Sequence, residues 1–201
     1  MEITAQQVQE LRRKTGAGVM DCKRALSECG GDLEKAAIAL RKQGMARAEA
    51  RMSRQASEGV IASYIHAGGR IGVLVEVNCE TDFVARTDEF KELARNLAMH
   101  IAAEQPRWTR PEEVPAVVLE QEKEIYRAQA LKEGKPEKVA DKIVEGRLKK
   151  FHQETCLLDQ PYVRDDQKTV ADVVKEAAGH LGENIVVRRF LRYQLGEEVQ
   201  S

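Results

Sequence analysis

Aromatic residues are scarce in this sequence, and neither sign of charge is in excess. Phe, Trp and Tyr make up 4% of the 201 residues, and 32 Lys and Arg residues face 33 Asp and Glu residues. Nucleic-acid-binding domains usually carry a basic excess or a basic face. The balanced charge therefore argues against a nucleic-acid partner. With 32% charged residues, the composition is typical of a helix-rich protein with wide solvated faces.

Paired cysteines and clustered metal ligands are also missing. The four cysteines and four histidines are scattered along the chain, and no Cys-x-x-Cys pair occurs. A zinc site needs ligands at characteristic short spacings, so we predict no metal site and no cofactor. Free thiols are typical of a reducing compartment. The cysteines are Cys22, Cys29, Cys79 and Cys156.

No apolar run is long enough to cross a bilayer. The N-terminal segment MEITAQQVQELRRK contains neither the apolar region of a signal peptide nor an Arg- and Ser-rich transit pattern. We therefore expect a cytoplasmic protein with no membrane partner.

Motifs that indicate catalysis are absent as well. Gly16-Ala17-Gly18 and Gly68-Gly69 lack the Lys-Ser/Thr of a P-loop and the strand–GxGxxG–helix setting of a dinucleotide site. No Gly-x-Ser-x-Gly occurs. Carboxylates are abundant, but without a cleft their pairing indicates nothing. We predict that the chain is not an enzyme.

Residues 1–44 have the pattern of three short helices. Thr4 and Gln7 form a capping box for the first, and Asp32 caps the third, which we expect to end at Gly44. The second spans about residues 19–28. Such small helical modules have marginal cores and are more often adaptors than enzymes.

Residues 45–57, MARAEARMSRQAS, separate this module from the rest of the chain. The segment is basic because of Arg47, Arg51 and Arg54, and it has no apolar stripe. We interpret it as a solvated helical linker. An RNA-binding arm is the alternative, although no aromatic residues are interleaved with the arginines.

Residues 58–201 combine strand and helix patterns. Two β-branched runs joined by Ala67-Gly68-Gly69 predict a hairpin, and ENIVVRRFLRYQL predicts a third strand. Thr87 caps a helix after the hairpin, and two charged helices within about residues 113–153 predict a projecting helical hairpin. The fold class is therefore α+β, with a three-stranded sheet and helices packed on one face.

The stretch NCETDFVAR, residues 78–86, allows two interpretations. Asp82 can cap a turn through its own backbone while Phe83 enters the core beneath the hairpin. However, Glu80, Thr81 and Asp82 make the end of the strand polar, which favours exposure. An exposed ring beside a carboxylate would be typical of an interface hot spot. The pattern alone does not decide between these interpretations.

Several segments together resemble the translation elongation factor Ts family, in order and over nearly the whole chain. They are LRRKTGAGVMDCKRALSECGGDLEKAAIALRKQG, GVIASYIHAGGRIGVLVEVNCETDFVAR with its TDFV signature, KPEKVADKIVEGRLKKF and GENIVVRRF. The resemblance implies a ubiquitin-associated-like three-helix domain followed by an α+β core with antiparallel strands and a coiled-coil-like hairpin. It also implies guanine-nucleotide exchange on elongation factor Tu, bound to GDP or nucleotide-free.

The resemblance also implies which residues contact elongation factor Tu. Asp82 and Phe83, within the signature Thr81–Val84, would insert between two helices of the partner's nucleotide domain, near its magnesium site. The remaining contacts would be Arg12, Val19, Met20, His66, Leu181 and Gly182. The family often has Lys where this chain has Gln9, which puts a charge contact at that position in doubt.

Longer relatives carry two copies of the core subdomain, whereas this chain resembles a form with one. His66 and Asp82 lie at opposite ends of a single predicted hairpin, and strands of about nine residues would hold them about 30 Å apart. One subunit would then not present both at one site. We therefore expect a two-fold homodimer that supplies the second copy in trans. Nothing in the sequence places Cys156 near that interface.

A non-catalytic adaptor or scaffold with a ubiquitin-associated-like module is the alternative function.

Overall fold

The computed structural model describes residues 3–197 and has mixed helices and strands, which confirms the α+β class. The elements in chain order are α1 (Ala5–Thr15), α2 (Val19–Glu28), α3 (Leu33–Glu49), β1 (Glu58–Ile65), β2 (Ile71–Cys79), α4 (Asp82–Ala85), α5 (Asp88–Glu104), α6 (Ala116–Lys132), α7 (Glu137–Thr155), β3 (Pro161–Tyr162), β4 (Asp165–Thr169), α8 (Val170–Leu181) and β5 (Val186–Gln194). None of the helices formed by these residues could span a bilayer.

The chain forms two compact units. Within the described residues, the first contains residues 3–60, 77–93 and 172–186, and the second contains 61–76, 94–171 and 187–197. The first unit therefore holds the three N-terminal helices, the turn after β2 and most of α8. The second holds the middle of the hairpin, the two long charged helices and most of β5.

The three N-terminal helices form as the sequence predicts. Thr4 and Gln7 make both hydrogen bonds of the capping box, and Asp32 accepts the Glu34 and Lys35 amides at the start of α3. These bonds satisfy amides that would otherwise lack partners at the helix ends. The small core of this module contains Val8, Leu11, Cys22, Ala25, Leu26, Ala36 and Leu40.

The third helix is longer than predicted, because it continues through Gly44 to Glu49. Gly44 lies against Gly179 of α8, and a Cβ atom at position 179 would be only 2.9 Å from the Gly44 carbonyl carbon. The expected stop at Gly44 was therefore wrong. This glycine allows two backbones to approach closely instead of ending a helix.

The larger sheet has the strand order β1-β2-β5 and is antiparallel. Burial alternates along β2, where Val73 and Val75 are buried and Leu74 is 44% exposed. The Leu195 amide donates to the Arg70 carbonyl, and Arg189 pairs with Glu76. This register places Leu191 opposite Leu74 on the outer face.

Apolar side chains remain exposed on that outer face, within the second unit. The Ile65 side chain lies over Gly72, because a Cβ atom at position 72 would be 3.1 Å from Cδ1 of Ile65. We call the exposed apolar residues of this face the sheet-face patch: Ile61 (69% exposed), Ile65 (66%), Leu74 (44%), Leu191 (57%) and Tyr193 (66%).

The second unit also contains the predicted helical hairpin, formed by α6 and α7. Near its base, Trp108, Val114 and Phe151 pack around Cys156, which is fully buried. A small antiparallel sheet of β3 and β4 was not predicted. Its second strand, DDQKT, is almost entirely polar, so it carries none of the apolar alternation that marks a strand in a sequence.

His100 is a fully buried histidine in the second unit. Its Nε2 lies 3.0 Å from Gln160 Oε1, and its Nδ1 accepts the Val163 amide at 3.2 Å. The accepting Nδ1 carries no proton, so Nε2 donates to Gln160. Burial lowers the pKa of His100 from 6.5, while Gln160 and Glu104 partly oppose this effect.

This lowered pKa predicts a pH-dependent stability. As pH falls below 6.5, the unfolded chain gains a proton at His100 before the folded chain does, so folding stability decreases. The loss levels off below the folded-state pKa. Urea unfolding of His100→Asn at several pH values should show lower stability but a flatter dependence between roughly pH 5 and 7. The same change at exposed His66 is the control. An unchanged slope in His100→Asn would contradict the prediction.

Candidate functional site

The structure decides between the two interpretations of the NCETDFVAR stretch. Phe83 does not enter the core, because its side chain is 78% exposed. Thr81, not Asp82, caps the short helix α4: its Oγ1 accepts the Val84 amide. Asp82 instead pairs with Arg86 one turn later, at 2.8 Å. The ring and the carboxylate are therefore presented side by side on an ordered turn.

A buried thiol donates a hydrogen bond to the backbone of this turn. Cys79 is the last residue of β2, and its Sγ lies 3.2 Å from the Thr81 carbonyl oxygen, to which it donates. Burial, reinforced by the charge of Glu183, raises the pKa of Cys79 to about 11. The thiol therefore stays protonated at neutral pH and remains a donor. The buried Ala85 anchors the other end of α4.

Glu183 also holds this turn, from the loop between α8 and β5. Its carboxylate accepts the backbone amides of Glu80 and Thr81, both at 3.0 Å, and the Thr81 hydroxyl at 2.6 Å. In the opposite direction, Glu80 accepts the Asn184 amide at 2.7 Å. The turn and the α8–β5 loop are thus joined by bonds in both directions.

Leu181 and Gly182 belong to that same loop. Gly182 ends α8 with a positive φ of 80°, and its amide donates to Ala178 at 3.0 Å, as expected of a helix C-cap. Leu181 is partly buried. The segments that contain the residues predicted at 81–84 and at 181–182 are therefore joined by the carboxylates of Glu80 and Glu183, which accept backbone amides across the two segments.

The candidates of the N-terminal module are also in the first unit and lie on its surface. Val19 and Met20 begin α2 and are 48% and 75% exposed. Arg12 is exposed in the last turn of α1, and Gln9 is exposed one turn earlier. Two exposed apolar side chains at a helix start are available for contact with another protein.

His66 is the one candidate outside the first unit. It is exposed in the turn after β1, in the second unit, and its Nδ1 lies 3.1 Å from the Tyr64 hydroxyl. His66 and the other candidate residues therefore do not belong to the same unit.

Ion pairs occupy much of the basic segment for which RNA binding is the alternative. Arg47 lies in α3 and pairs with Asp21 at 3.1 Å, and Arg54 pairs with Glu80 at 3.6 Å. The Arg47 guanidinium lowers the pKa of Asp21. Carboxylates of this chain therefore already pair with two of the three arginines of the segment.

Sequence reasoning did not identify Glu80, Glu183 and Asn184 as part of the site. Each is a common surface residue type in a chain rich in charge, and its partner lies about a hundred positions away. The only sequence signal was their proximity to TDFV and Leu181-Gly182. An exposed ring on a turn fixed in this way is typical of a protein-binding surface.

Comparison with known proteins narrows this class to a translation elongation factor. The family model for elongation factor Ts matches residues 33–197. The chain is 60% identical to elongation factor Ts of Coprothermobacter proteolyticus over 98% of this chain and 100% of that protein. It is 58% identical to that of Moorella thermoacetica, over 98% of this chain and 97% of that protein. The chain belongs to the elongation factor Ts family.

Proposed function

We propose that this chain is a guanine-nucleotide exchange factor for elongation factor Tu, and that Asp82 and Phe83 promote GDP release near the partner's Mg²⁺ site. The observation that carries the proposal is the position of Phe83, 78% exposed on an ordered turn. A solvent-exposed aromatic side chain does not stabilise the fold by burial. Its burial in a partner would remove apolar surface from water and so favour binding.

The mechanism is a linkage between two binding events. In a GTPase, Mg²⁺ bridges the nucleotide phosphates and holds the switch loops. A ring inserted between supporting helices would displace those loops, so the factor would bind the nucleotide-free state best. By reciprocity, the factor then weakens GDP binding as much as GDP weakens the factor's binding. No covalent bond is made or broken, and GTP binding would release the factor.

Asp82 would assist by interacting with polar groups near the metal. Its present partner is Arg86, in a pair that is largely exposed on the arginine side. Exposed ion pairs of this kind contribute little to stability. The carboxylate can therefore exchange this partner for one on elongation factor Tu at small cost.

We assign the remaining contacts by module. Residues 1–44 would form the partner-binding domain through Arg12, Val19 and Met20, and residues 45–57 the linker. Residues 58–201 would form the core and dimerisation domain, with Leu181-Gly182 supporting the wedge. His66 would contact elongation factor Tu from the second unit.

The sheet-face patch supports a homodimer. Exposed apolar residues cover three strands, and the oppositely charged pair of Glu76 and Arg189 borders them. A patch that carries both charges beside an apolar surface can pair with a copy of itself across a two-fold axis. Pairing would also remove this apolar surface from water. Each elongation factor Tu would then contact both subunits.

The function is tested by the release of fluorescent GDP from elongation factor Tu after excess unlabelled GDP is added. We expect this protein to accelerate release by orders of magnitude over the spontaneous rate, because it stabilises the nucleotide-free state. Bovine serum albumin at the same concentration serves as the control. No acceleration by folded protein would reject the proposal in favour of a non-catalytic adaptor.

A further inference from the structure

Two carboxylates and two loops exchange hydrogen bonds at the base of the Asp82–Phe83 turn. Glu183, from the α8–β5 loop, accepts three donors from the turn. Glu80, from the turn, accepts the Asn184 amide of the loop. Hydrogen bonds to charged acceptors are about twice as strong as neutral ones. We call this set of bonds the carboxylate clamp.

The clamp reaches a third segment through Asn184, which is 4% exposed. Its side-chain amide donates to the Met52 carbonyl at 3.3 Å and to the Arg54 carbonyl at 2.8 Å. The Arg54 guanidinium in turn lies 3.6 Å from the Glu80 carboxylate. The segment that follows α3, the turn and the α8–β5 loop therefore meet at one polar cluster.

The hydrogen bond between Glu183 and the Thr81 hydroxyl orients the N-cap residue of α4, the helix that contains Phe83. This hydroxyl donates its one proton to Glu183 Oε1, which leaves its lone pairs to accept the Val84 amide. Glu183 thus orients the N-cap of α4. A helix of four residues has little stability of its own, so the position of Phe83 depends on this cap.

We infer that Glu183 is a positioning residue that holds the Asp82–Phe83 turn in its docking conformation before the partner arrives. The inference rests on the proposed exchange function. The free turn already has the bonded geometry, so ordering it during association would cost nothing further. Without Glu183, two backbone amides and a hydroxyl lose their acceptor, and the ring samples other directions.

Two substitutions at this position separate geometry from charge. Glu183→Ala removes every acceptor of the clamp on this side. Glu183→Gln keeps one oxygen for the two backbone amides, and its NH₂ group can donate to the Thr81 hydroxyl oxygen. If Glu183 acts by positioning, glutamine should retain most of the activity that alanine loses.

The test is GDP release from elongation factor Tu, measured with full-length variants over a range of factor concentrations. We expect Glu183→Ala to require about tenfold more factor for half-maximal acceleration, and Glu183→Gln to stay within about threefold of the parent. Glu92→Ala, at an exposed carboxylate of α5 in the same unit, should behave as the parent. Unchanged dependence on factor concentration in Glu183→Ala would overturn the inference.

Hydrogen exchange of the backbone amides provides a readout that does not need the partner. In Glu183→Ala, the Glu80, Thr81 and Val84 amides should exchange at least about tenfold faster, while amides within α1–α3 stay protected. Equal protection of the turn in both proteins would overturn the clamp itself. If the parent protein does not accelerate GDP release, the proposed function is rejected. The docking role of Glu183 is then rejected with it, whatever the hydrogen-exchange result.

Discussion

Replacement of Phe83 by alanine should reduce the acceleration of GDP release by at least about 30-fold. Hot-spot aromatic residues contribute about 2 kcal/mol or more to an interface, which corresponds to this factor. Folding should be unaffected, because the ring is 78% exposed and contributes almost no burial in the free protein. Release of fluorescent GDP and thermal unfolding of the same samples measure the two effects separately.

The matched control for this prediction is Val117→Ala. Val117 is an exposed apolar residue of α6, 62% accessible, in the second unit. It should change neither exchange nor stability. If Phe83→Ala exchanged nucleotide as fast as the parent protein, the ring would not be the wedge. If both variants lost activity equally, general loss of exposed apolar surface would explain the result instead.

A single charge in the sheet-face patch should break the homodimer. Leu191→Glu places a carboxylate opposite Leu74, and a two-fold axis would bury it twice in each dimer. We expect the dimer dissociation constant to rise by about a hundredfold or more. Sedimentation equilibrium at micromolar concentrations should then show monomers. The proposed exchange activity should fall with it, since one partner would no longer meet two subunits.

Leu131→Glu tests whether any new surface charge has this effect. Leu131 is 43% exposed in α6 and lies outside the patch. This variant should remain dimeric. A Leu191→Glu protein that stays dimeric would exclude the patch as the interface. A parent protein that is monomeric yet fully active would exclude the need for a second subunit.

Local signals in the sequence predicted most helix boundaries correctly. The Thr4–Gln7 capping box and the Asp32 and Thr87 caps all form as expected, because each depends on residues three positions apart. The end of α3 was wrong, since Gly44 serves a contact with Gly179, far away in sequence. The β3–β4 sheet was missed because polar residues gave β4 no periodic signal.

The candidate site was predictable only in part. Patterns placed Asp82 and Phe83 at the end of a strand but could not decide whether the ring was buried. Its exposure follows from Thr81, rather than Asp82, capping α4 and from the burial of Ala85 at the other end of that helix; the burial of Ala85 is a tertiary outcome that the local pattern does not give. Glu183 was missed because a hydrogen bond that spans about a hundred residues leaves no local pattern.

The close approach of Gly44 and Gly179 has a consequence for folding cooperativity. Continuous helical hydrogen bonding carries α3 from the small N-terminal core to this contact, so the last turns of α3 are stabilised by α8 as well as by the module. A three-helix core of this size is marginal alone. Unfolding of the three-helix module by itself would therefore also break the contact between Gly44 and Gly179, so this contact adds to the free energy of opening the module. The absence of a side chain at Gly44 and at Gly179 thus couples the N-terminal module to α8.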